Sequence, residues 1–192
     1  MSHLRATIRD QRGFTLTELL VVTAVLGLIL AGVVTIQMQG QQAYLFGSHR
    51  VEAQQNNRSA LELMVRELRS AQSVTAATNC SLTSLNPSVT FVDENGQTIQ
   101  YQLFSGTTLN RTVTVAGTPT TTPLIGGVQT LKMSCYSTWD GATNTGTTTT
   151  TPSSVRLILL QLVTGTEDQV SAGSPGNQHA TMESLVRLRN IQ

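Results

Sequence analysis

The chain has 192 residues, which is enough for one domain of ordinary size together with a membrane anchor. It has 12 basic and 11 acidic residues, a formal net charge of +1, and charged residues make up only 12% of it. Residues 1–13 contain three of the arginines and one aspartate, so the remainder has nine basic and ten acidic residues and a net charge of −1. Because this leaves no basic field that would attract phosphates, we predict no nucleic-acid partner.

An uncharged apolar segment spans residues 19–36. A segment of this length can cross a bilayer as a helix, which needs about 20 mostly apolar residues. Glu18 stands at its head, where a carboxylate inside the membrane would cost about 2.5–3.5 kcal/mol and is a candidate functional group. The alternative is an interfacial acid, which the positive end of the helix dipole favours.

Positive charge precedes this segment at Arg5, Arg9 and Arg12, and the first basic residue after it is Arg50. The positive-inside rule then places the N-terminus in the cytoplasm and the residues beyond about 40 on the other side of the membrane. Residues 1–13 lack the cleavage site of an ordinary secretory signal, and the apolar segment is long enough to remain as an anchor. We therefore expect a single-pass protein of the inner membrane with an exported C-terminal domain.

The basic leader, the Gly13-Phe14 junction, Glu18 four residues after Phe14 and the unbroken apolar segment together resemble the signal of type IV prepilins and pseudopilins. The resemblance covers about residues 9–40. It implies that a prepilin peptidase on the cytoplasmic face cuts after Gly13 and methylates the new amino terminus at Phe14. It also implies that Glu18 acts in assembly, with other major and minor pilins as partners in a filament.

A second helical pattern follows the apolar segment. Its apolar residues recur at helical spacing and form one stripe, which consists of Leu61, Met64, Val65, Leu68 and Ala71. Residues 57–71 resemble the corresponding helix of PilW-type minor pilins and J-type pseudopilins. We therefore predict a leader over residues 1–13, one long helix over 14–75 with its membrane part over 14–36, and a β-rich pilin domain over 76–192.

Short strands are predicted after the helix. Apolar residues alternate with polar ones on either side of Asn95-Gly96, at Val89 and Phe91 and then at Ile99, Tyr101 and Leu103, which predicts a β-hairpin. We expect further strands near residues 109–115, 131–135, 155–163 and 182–191, and we interpret residues 117–127, 137–153 and 166–177 as turns and loose loops.

The predicted strand over residues 155–163 is apolar on both faces, which places it in the centre of the sheet with the helix on one side. Neither the apolar stripe of the helix nor the apolar face of the sheet can be buried alone. The predicted fold class is therefore α+β and pilin-like, with the long N-terminal helix packed on an antiparallel β-sheet.

The two cysteines, Cys80 and Cys135, would lie in an oxidising compartment if the domain is exported. We expect them to form a disulfide that ties the end of the helix to a strand, and the alternative is two free buried thiols. The closed loop is long, so the bridge would contribute roughly 4 kcal/mol in the chain-entropy picture.

No known catalytic or cofactor motif is present, neither a phosphate-binding loop, a nucleophile elbow, a zinc-protease motif nor a Cys-x-x-Cys pair. His49 is interpreted as solvated, and His179 as a loop residue without a functional role. Trp139 is interpreted as a partly buried cover of the sheet, and the alternative is an exposed binding residue. Glu167 and Asp168 are too few for calcium, which takes six to eight oxygen ligands. We therefore predict no catalytic residues, no metal site and no cofactor.

The leading interpretation is a minor pilin of a type IV pilus, which is a structural subunit and not an enzyme. One alternative is a minor pseudopilin of a type II secretion system. Another, of a different class, is a periplasmic adhesin or enzyme that remains anchored in the membrane. Recovery of the protein in sheared filaments separates a filament subunit from the permanently anchored protein.

Overall fold

The computed structural model of the chain describes residues 13–166 and 177–189. These residues contain one α-helix, one short 3-10 helix and nine strands. The elements are α1 (Leu16–Ser70), β1 (Ser73–Thr78), β2 (Ser88–Val92), β3 (Thr98–Phe104), β4 (Thr108–Val115), β5 (Thr118–Ile125), β6 (Val128–Asp140), β7 (Thr145–Thr148), the 3-10 helix Pro152–Ser154, β8 (Leu157–Gly165) and β9 (His179–Arg187). The chain divides into two compact units, Met1–Tyr44 and Leu45–Gln192.

The described part of the first unit is the N-terminal portion of α1 with the three residues that precede it. Every residue from 13 to 44 is exposed, and most of these side chains are apolar. Within the described ranges, α1 alone is long and apolar enough to cross a membrane: its most apolar 18-residue window has a mean hydropathy of 2.8, and none of that window is buried.

The second unit contains two antiparallel sheets. Sheet A has the strand order β1-β2-β3-β4-β5, and sheet B has the order β7-β6-β8-β9. The C-terminal portion of α1 shares one hydrophobic core with both sheets, and Met64 and Leu68 are among the core residues that it contributes. The predicted α+β architecture, a long N-terminal helix followed by antiparallel sheet, is confirmed.

The apolar stripe of the helix lies where the sequence predicts. Its buried residues lie along one side of the helix and are Ala53, Asn57, Ala60, Leu61, Met64 and Leu68. Val65 is partly buried against the same core, and Ala71 is fully buried just after the helix. The stripe therefore begins at Ala53, about two turns before Leu61, where the prediction starts it. The buried Asn57 connects the two parts.

The β-hairpin predicted around Asn95-Gly96 is confirmed. Strands β2 and β3 pair in antiparallel register, with Val89 opposite Tyr101 and Phe91 opposite Ile99. The Asp93 carboxylate accepts hydrogen bonds from the backbone N–H groups at 95 and 97, and Gly96 has a positive φ of 76°. Glycine adopts this left-handed backbone conformation without a steric cost, so Gly96 can close the turn.

Three details differ from the prediction. The first is the end of the helix: α1 ends at Ser70 and β1 begins at Ser73, so the predicted boundary at residue 75 falls inside a strand. The backbone N–H of Gln72 already bonds to the Val92 carbonyl at 2.9 Å. Val74 and Thr75 are β-branched, which favours a pleated strand over a further helical turn.

The second difference is the number of strands. Residues 118–125, interpreted as a turn-rich connection, form the edge strand β5 of sheet A. Pro119 and Pro123 suggest a break in the sheet, but an edge strand leaves one row of N–H groups unpaired and so accommodates proline. The single predicted sheet is in fact two sheets.

The third difference is the threonine-rich segment. Residues 137–153 were expected to form a loose loop, but β6 continues to Asp140 and a hairpin returns as β7 over Thr145–Thr148. Threonine is β-branched and suits strands, and low complexity alone does not exclude pairing. The other predicted loop spans residues 166–177, and its residues 167–176, which include Glu167 and Asp168, lie outside the described ranges.

The predicted central strand and closing strand are both present. β8 pairs with β6 on one side and β9 on the other, and its inward side chains at Ile158, Leu160 and Leu162 are fully buried. The closing strand begins at His179, three residues earlier than expected, because Ala180 pairs with Thr164 and is itself buried.

Candidate functional site

The predicted processing junction lies immediately before the helix. Gly13 and Phe14 are outside any regular element, and the Phe14 side chain is 78% exposed. No atom lies within 4 Å of the position that a Cβ on Gly13 would occupy. The backbone at this junction is therefore accessible to another protein.

The helix start is capped by Thr15. The Glu18 backbone N–H donates to the Thr15 hydroxyl oxygen at 3.2 Å, and the Thr15 and Thr17 hydroxyls lie 3.1 Å apart. Thr15 and Glu18 have the spacing of a capping box, in which a threonine and an acid three residues later satisfy the free N–H groups at a helix start. Glu18 lies in the first turn, as its position in the sequence indicates, and the Thr-x-x-Glu spacing is a readable signal for the cap that Thr15 provides.

The polar side chains of the apolar segment are satisfied within the helix. The Thr23 hydroxyl donates to the Leu20 carbonyl at 2.9 Å, and the Thr35 hydroxyl donates to the Ala31 carbonyl at 2.8 Å. Such bonds leave no hydroxyl in need of water. Glu18 is the only side chain of residues 13–48 that is charged at neutral pH, and its charge stands alone on the apolar surface.

A disulfide joins Cys80 and Cys135, the pair named from the sequence, with a Cα–Cα distance of 5.4 Å. It ties the segment after β1 to the middle of β6, and so connects the two sheets. The Cys135 backbone N–H also faces the Cys80 carbonyl at 3.4 Å. Both cysteines are buried, so the bridge is part of the core.

Two polar clusters hold the helix to the sheets, and sequence reasoning missed both. The Arg111 guanidinium binds the Glu67 carboxylate with two hydrogen bonds of 2.8 and 3.0 Å, and the Tyr101 hydroxyl donates to the same carboxylate. Burial, and then the hydrogen bond to Glu67, raise the pKa of Tyr101 well above its usual value. The same carboxylate raises the pKa of Arg111.

The second cluster joins α1 to sheet B. The side-chain amide of Asn57 donates to the carbonyls of Leu162 and Ala180, both at 2.9 Å, and the Thr164 hydroxyl donates to the Ala53 carbonyl at 2.8 Å. All of these bonds are buried. These donors are paired, whereas the Oδ1 atom of Asn57 has no partner among the described residues. Because an unpaired buried donor would be costly, the three bonds fix the position of the helix on β8 and β9.

The structure places in different surroundings the three residues for which the sequence predicts no functional role, namely His49, His179 and Trp139. His49 is half-buried, with its Nδ1 3.8 Å from a Glu52 oxygen, and His179 is exposed. Trp139 is half-buried at the end of β6 and packs edge-to-face on Tyr136. Within residues 13–166 and 177–189, no three His, Cys, Asp or Glu side chains are grouped so that they could hold a metal ion.

Residues 8–34 match the family profile of the prokaryotic N-terminal methylation motif. The whole chain has no significant match among curated proteins or among solved structures. The motif implies processing by a prepilin peptidase and assembly with other pilins, and proteins that carry it are structural rather than enzymatic. Together with the long apolar helix it supports membrane anchoring. The motif and the helix-then-sheet architecture support a type IV pilin-like protein.

Proposed function

We propose that this protein is a minor pilin, a structural subunit of a type IV pilus. In this proposal residues 1–13 are a leader that prepilin peptidase removes, and Phe14 becomes the methylated amino terminus. The mature chain waits in the inner membrane, with its N-terminus cytoplasmic and its C-terminal domain periplasmic. It then enters the filament through its N-terminal helix.

The observation that carries the proposal is the exposed apolar surface of the first unit beside an accessible Gly13-Phe14 junction. Residues 13–44 bury none of their side chains in the chain's own core. An apolar surface of this extent needs lipid or other helices around it. A helix that is apolar on all sides suits both environments in turn, first the bilayer and then a bundle of neighbouring subunits.

Glu18 is assigned the role of a register device in assembly. In the filament its carboxylate would pair with the amino group of a neighbouring Phe14, as the resemblance to prepilins implies. Breaking a charge pair in a low-dielectric core costs about 3–5 kcal/mol, because the remaining charge is left uncompensated. A subunit that docks out of register would carry this cost, and one that docks correctly would not.

The threonine-rich strands favour a displayed surface and thus a pilus over a secretion pseudopilus. Most residues of β5 and β7 are exposed, and they carry many hydroxyl groups with few charges. Uncharged hydroxyl groups keep such a surface in contact with water without attracting ions strongly, which suits a surface displayed outside the cell. The minor pseudopilin of a type II secretion system is the second candidate, since the methylation motif is common to both kinds of protein.

N-terminal mass spectrometry of the protein from membranes and from sheared filaments tests the proposal. We expect a methylated Phe14 terminus in both fractions, a Gly13→Val variant that retains Met1 and stays in the membrane, and a Gly27→Ala control that behaves as wild type. An intact Met1 terminus in peptidase-competent cells would refute processing. A processed protein absent from pili but required for secretion would be a pseudopilin.

A further inference from the structure

A groove of about 850 Å³ lies at one end of sheet B. The end of β6, the start of β8 and the end of β9 form its walls. These strand ends are fixed by backbone hydrogen bonds: the Arg156 N–H donates to the Tyr136 carbonyl at 2.8 Å, and the Leu188 N–H donates to the Arg156 carbonyl at 3.0 Å. The side chains that line the groove therefore project from a rigid frame.

Three arginines line this groove, namely Arg156, Arg187 and Arg189. Among the ion pairs of the described residues, none involves any of the three. The Nη1 atom of Arg156 is buried and has no hydrogen-bond partner among the described residues. Because buried donors in native proteins nearly always have a partner, this guanidinium offers a donor that an anion in the groove could use.

The nearest acid along β6 does not neutralise these arginines. The Asp140 carboxylate accepts hydrogen bonds from the Ala142 backbone N–H at 2.9 Å and from the Thr143 hydroxyl at 2.8 Å. These bonds within its own turn lower the pKa of Asp140. Among the residues that the structure describes, the lining of this groove has three cations and no carboxylate. Arg189 also lines a second groove, which includes Glu62 and Glu183.

Trp139 also lines the groove, and its position is fixed by its neighbours. Its ring packs edge-to-face on Tyr136, with the centroids 5.0 Å apart and an interplanar angle of 75°. Gly146 lies beneath both rings: a Cβ there would stand 2.7 Å from Cε3 of Trp139 and 2.6 Å from Cδ1 of Tyr136. The same Cβ would stand 2.7 Å from the backbone carbonyl oxygen of Thr138, so any other residue at 146 would displace the indole, the paired strand β6 or both.

A smaller groove of about 340 Å³ is also lined by Trp139, and its other lining groups include the hydroxyl-bearing Thr145 and Thr147. The lining of this smaller groove also includes Asp140, whose carboxylate is held by hydrogen bonds within its own turn. The indole therefore belongs both to a cationic groove and to a groove in which threonine hydroxyls accompany a single carboxylate. A ligand that extends over both would need negative charge at one end, hydroxyl groups at the other and a flat apolar face between them.

We propose that these two grooves bind an acidic oligosaccharide, a short chain of sugars that carry carboxylate groups. Guanidinium groups bind carboxylates in a bidentate geometry. The face of the indole is the negative pole of its quadrupole and attracts the weakly positive C–H groups of a pyranose ring. The threonine hydroxyls can donate to or accept from sugar hydroxyls. This binding does not depend on the role of the chain in a filament.

Nucleic acid fits these grooves less well. Beyond residue 13 the chain has a net charge of −1, and a phosphate backbone is usually followed by an extended basic surface. Single-stranded nucleic acids also use several aromatic rings in succession, whereas Trp139 is the only tryptophan of the chain. An oligonucleotide and an acidic peptide are therefore competitors in the test.

The full-length protein in non-ionic detergent allows a direct measurement, because its single tryptophan reports on the groove. We expect tri-galacturonic acid to change the Trp139 fluorescence saturably. Its fully methyl-esterified form, which lacks the charge, should bind at least tenfold more weakly. Oligothymidylate and tetraglutamate at the same concentration should produce no saturable change. Absence of saturation with tri-galacturonic acid, equal affinity for the ester, or tighter binding of either competitor would overturn the proposal.

Variants then locate the site. Arg187→Gln with Arg189→Gln removes two exposed cations from the groove and should weaken binding at least tenfold, since each loses a charge-assisted hydrogen bond. Arg50→Gln removes an exposed cation from the helix and should change the affinity less than twofold. Gly146→Ala should weaken binding with all three arginines intact, because its Cβ would displace the indole or the backbone of β6 beside it. Unchanged affinity in the double variant would refute this location, provided that its unfolding temperature matches wild type.

Discussion

Glu18 combines a local role with the proposed role in assembly. Its backbone N–H is capped by Thr15, and an acid at this helix position is favourable in any protein. Neither property requires a neighbouring subunit. A test of the assembly role must therefore remove the charge and keep the cap.

Glu18→Gln does this, because glutamine can replace glutamate in a capping box. We expect the variant to insert in the membrane and to be cleaved normally, but to enter filaments less efficiently than wild type. Glu18→Ala should show the same defect. Thr15→Ala should weaken the helix start by about 1 kcal/mol and leave incorporation nearly unchanged. The quantities to measure are the amount of membrane-bound protein, the fraction that is processed and the fraction in sheared filaments. Normal incorporation of Glu18→Gln would show that Glu18 only caps the helix and has no role in assembly.

Asn57 is the buried polar residue whose replacement should cost most. Asn57→Ala leaves two strand carbonyls without their donor, so we expect a loss of about 1–3 kcal/mol in the free energy of unfolding. Asn57→Asp places a carboxylate against the same two carbonyls, and we expect a loss of about 3–5 kcal/mol at pH 7. Urea unfolding measures both, and Gln55→Glu, at an exposed position of the same helix, is the control.

The loss in Asn57→Asp should depend on pH with a definite sign. Burial beside two carbonyls would raise the pKa of the aspartate in the folded state above its unfolded value of about 3.9. The variant is then least destabilised below pH 4, where the neutral acid can donate a hydrogen bond. Stability should fall as the pH rises. A loss that is equal at pH 3.5 and pH 7 would show that the side chain is solvated.

The sequence contains a readable signal for Asn57 and none for the other cluster. Asn57 lies four residues before Leu61, so it continues the apolar stripe, and a polar residue on such a stripe indicates a buried hydrogen-bond site. Glu67 and Arg111 are 44 positions apart on a helix and a strand. Their pairing depends on how sheet A is placed on the helix, which no local pattern encodes.

At the level of elements, the contact between α1 and sheet A should weaken at alkaline pH. Tyr101 is fully buried, and its pKa is raised by burial and by its hydrogen bond to Glu67. In the unfolded chain a tyrosine ionises near pH 10. A raised folded pKa means that this stabilisation is complete below pH 10 and is lost as the pH rises further, by about 1.4 kcal/mol per unit.

Tyr101→Phe tests this linkage. At pH 8 we expect the variant to lose about 1–2 kcal/mol in the free energy of unfolding, because a hydrogen bond to a charged group is removed. At pH 11 the difference from wild type should be largely gone. Urea unfolding at both values measures it, with Tyr44→Phe, on the exposed part of α1, as the control. A difference that stays constant from pH 8 to pH 11 would contradict the raised pKa.

Strands with alternating apolar residues are predictable in this chain, and strands made of threonine and proline are not. β2 and β3 have both the alternation and an Asn-Gly turn, and they occur where expected. β5 and β7 bury few side chains, so they have no apolar period. β5 forms because its backbone N–H and C=O groups pair with those of β4, and β7 forms because its groups pair with those of β6. The residues of β5 and β7 themselves contain no pattern that predicts this pairing.

At the scale of the whole molecule, the core lies entirely in the second unit. The buried apolar residues of the described ranges run from Ala53 to Leu188, and none belongs to residues 13–44. The sequence already separates these parts, since an uncharged apolar segment contrasts with an amphipathic one. The position of the division, at residue 44 inside a continuous helix, is not readable because hydropathy changes gradually there.

A chain that begins at residue 45 should therefore fold without detergent. It keeps the whole apolar core, the disulfide and both polar clusters, and it loses only side chains that the core does not use. We expect a soluble monomer by size-exclusion chromatography, with an unfolding temperature within a few degrees of the full-length protein in detergent. A second chain that begins at residue 58 lacks Ala53 and Asn57, so it should be less stable by more than the roughly 1–3 kcal/mol lost in Asn57→Ala. Aggregation of the longer fragment, or equal stability of the two fragments, would show that the helix contributes to the core differently from what the buried contacts indicate.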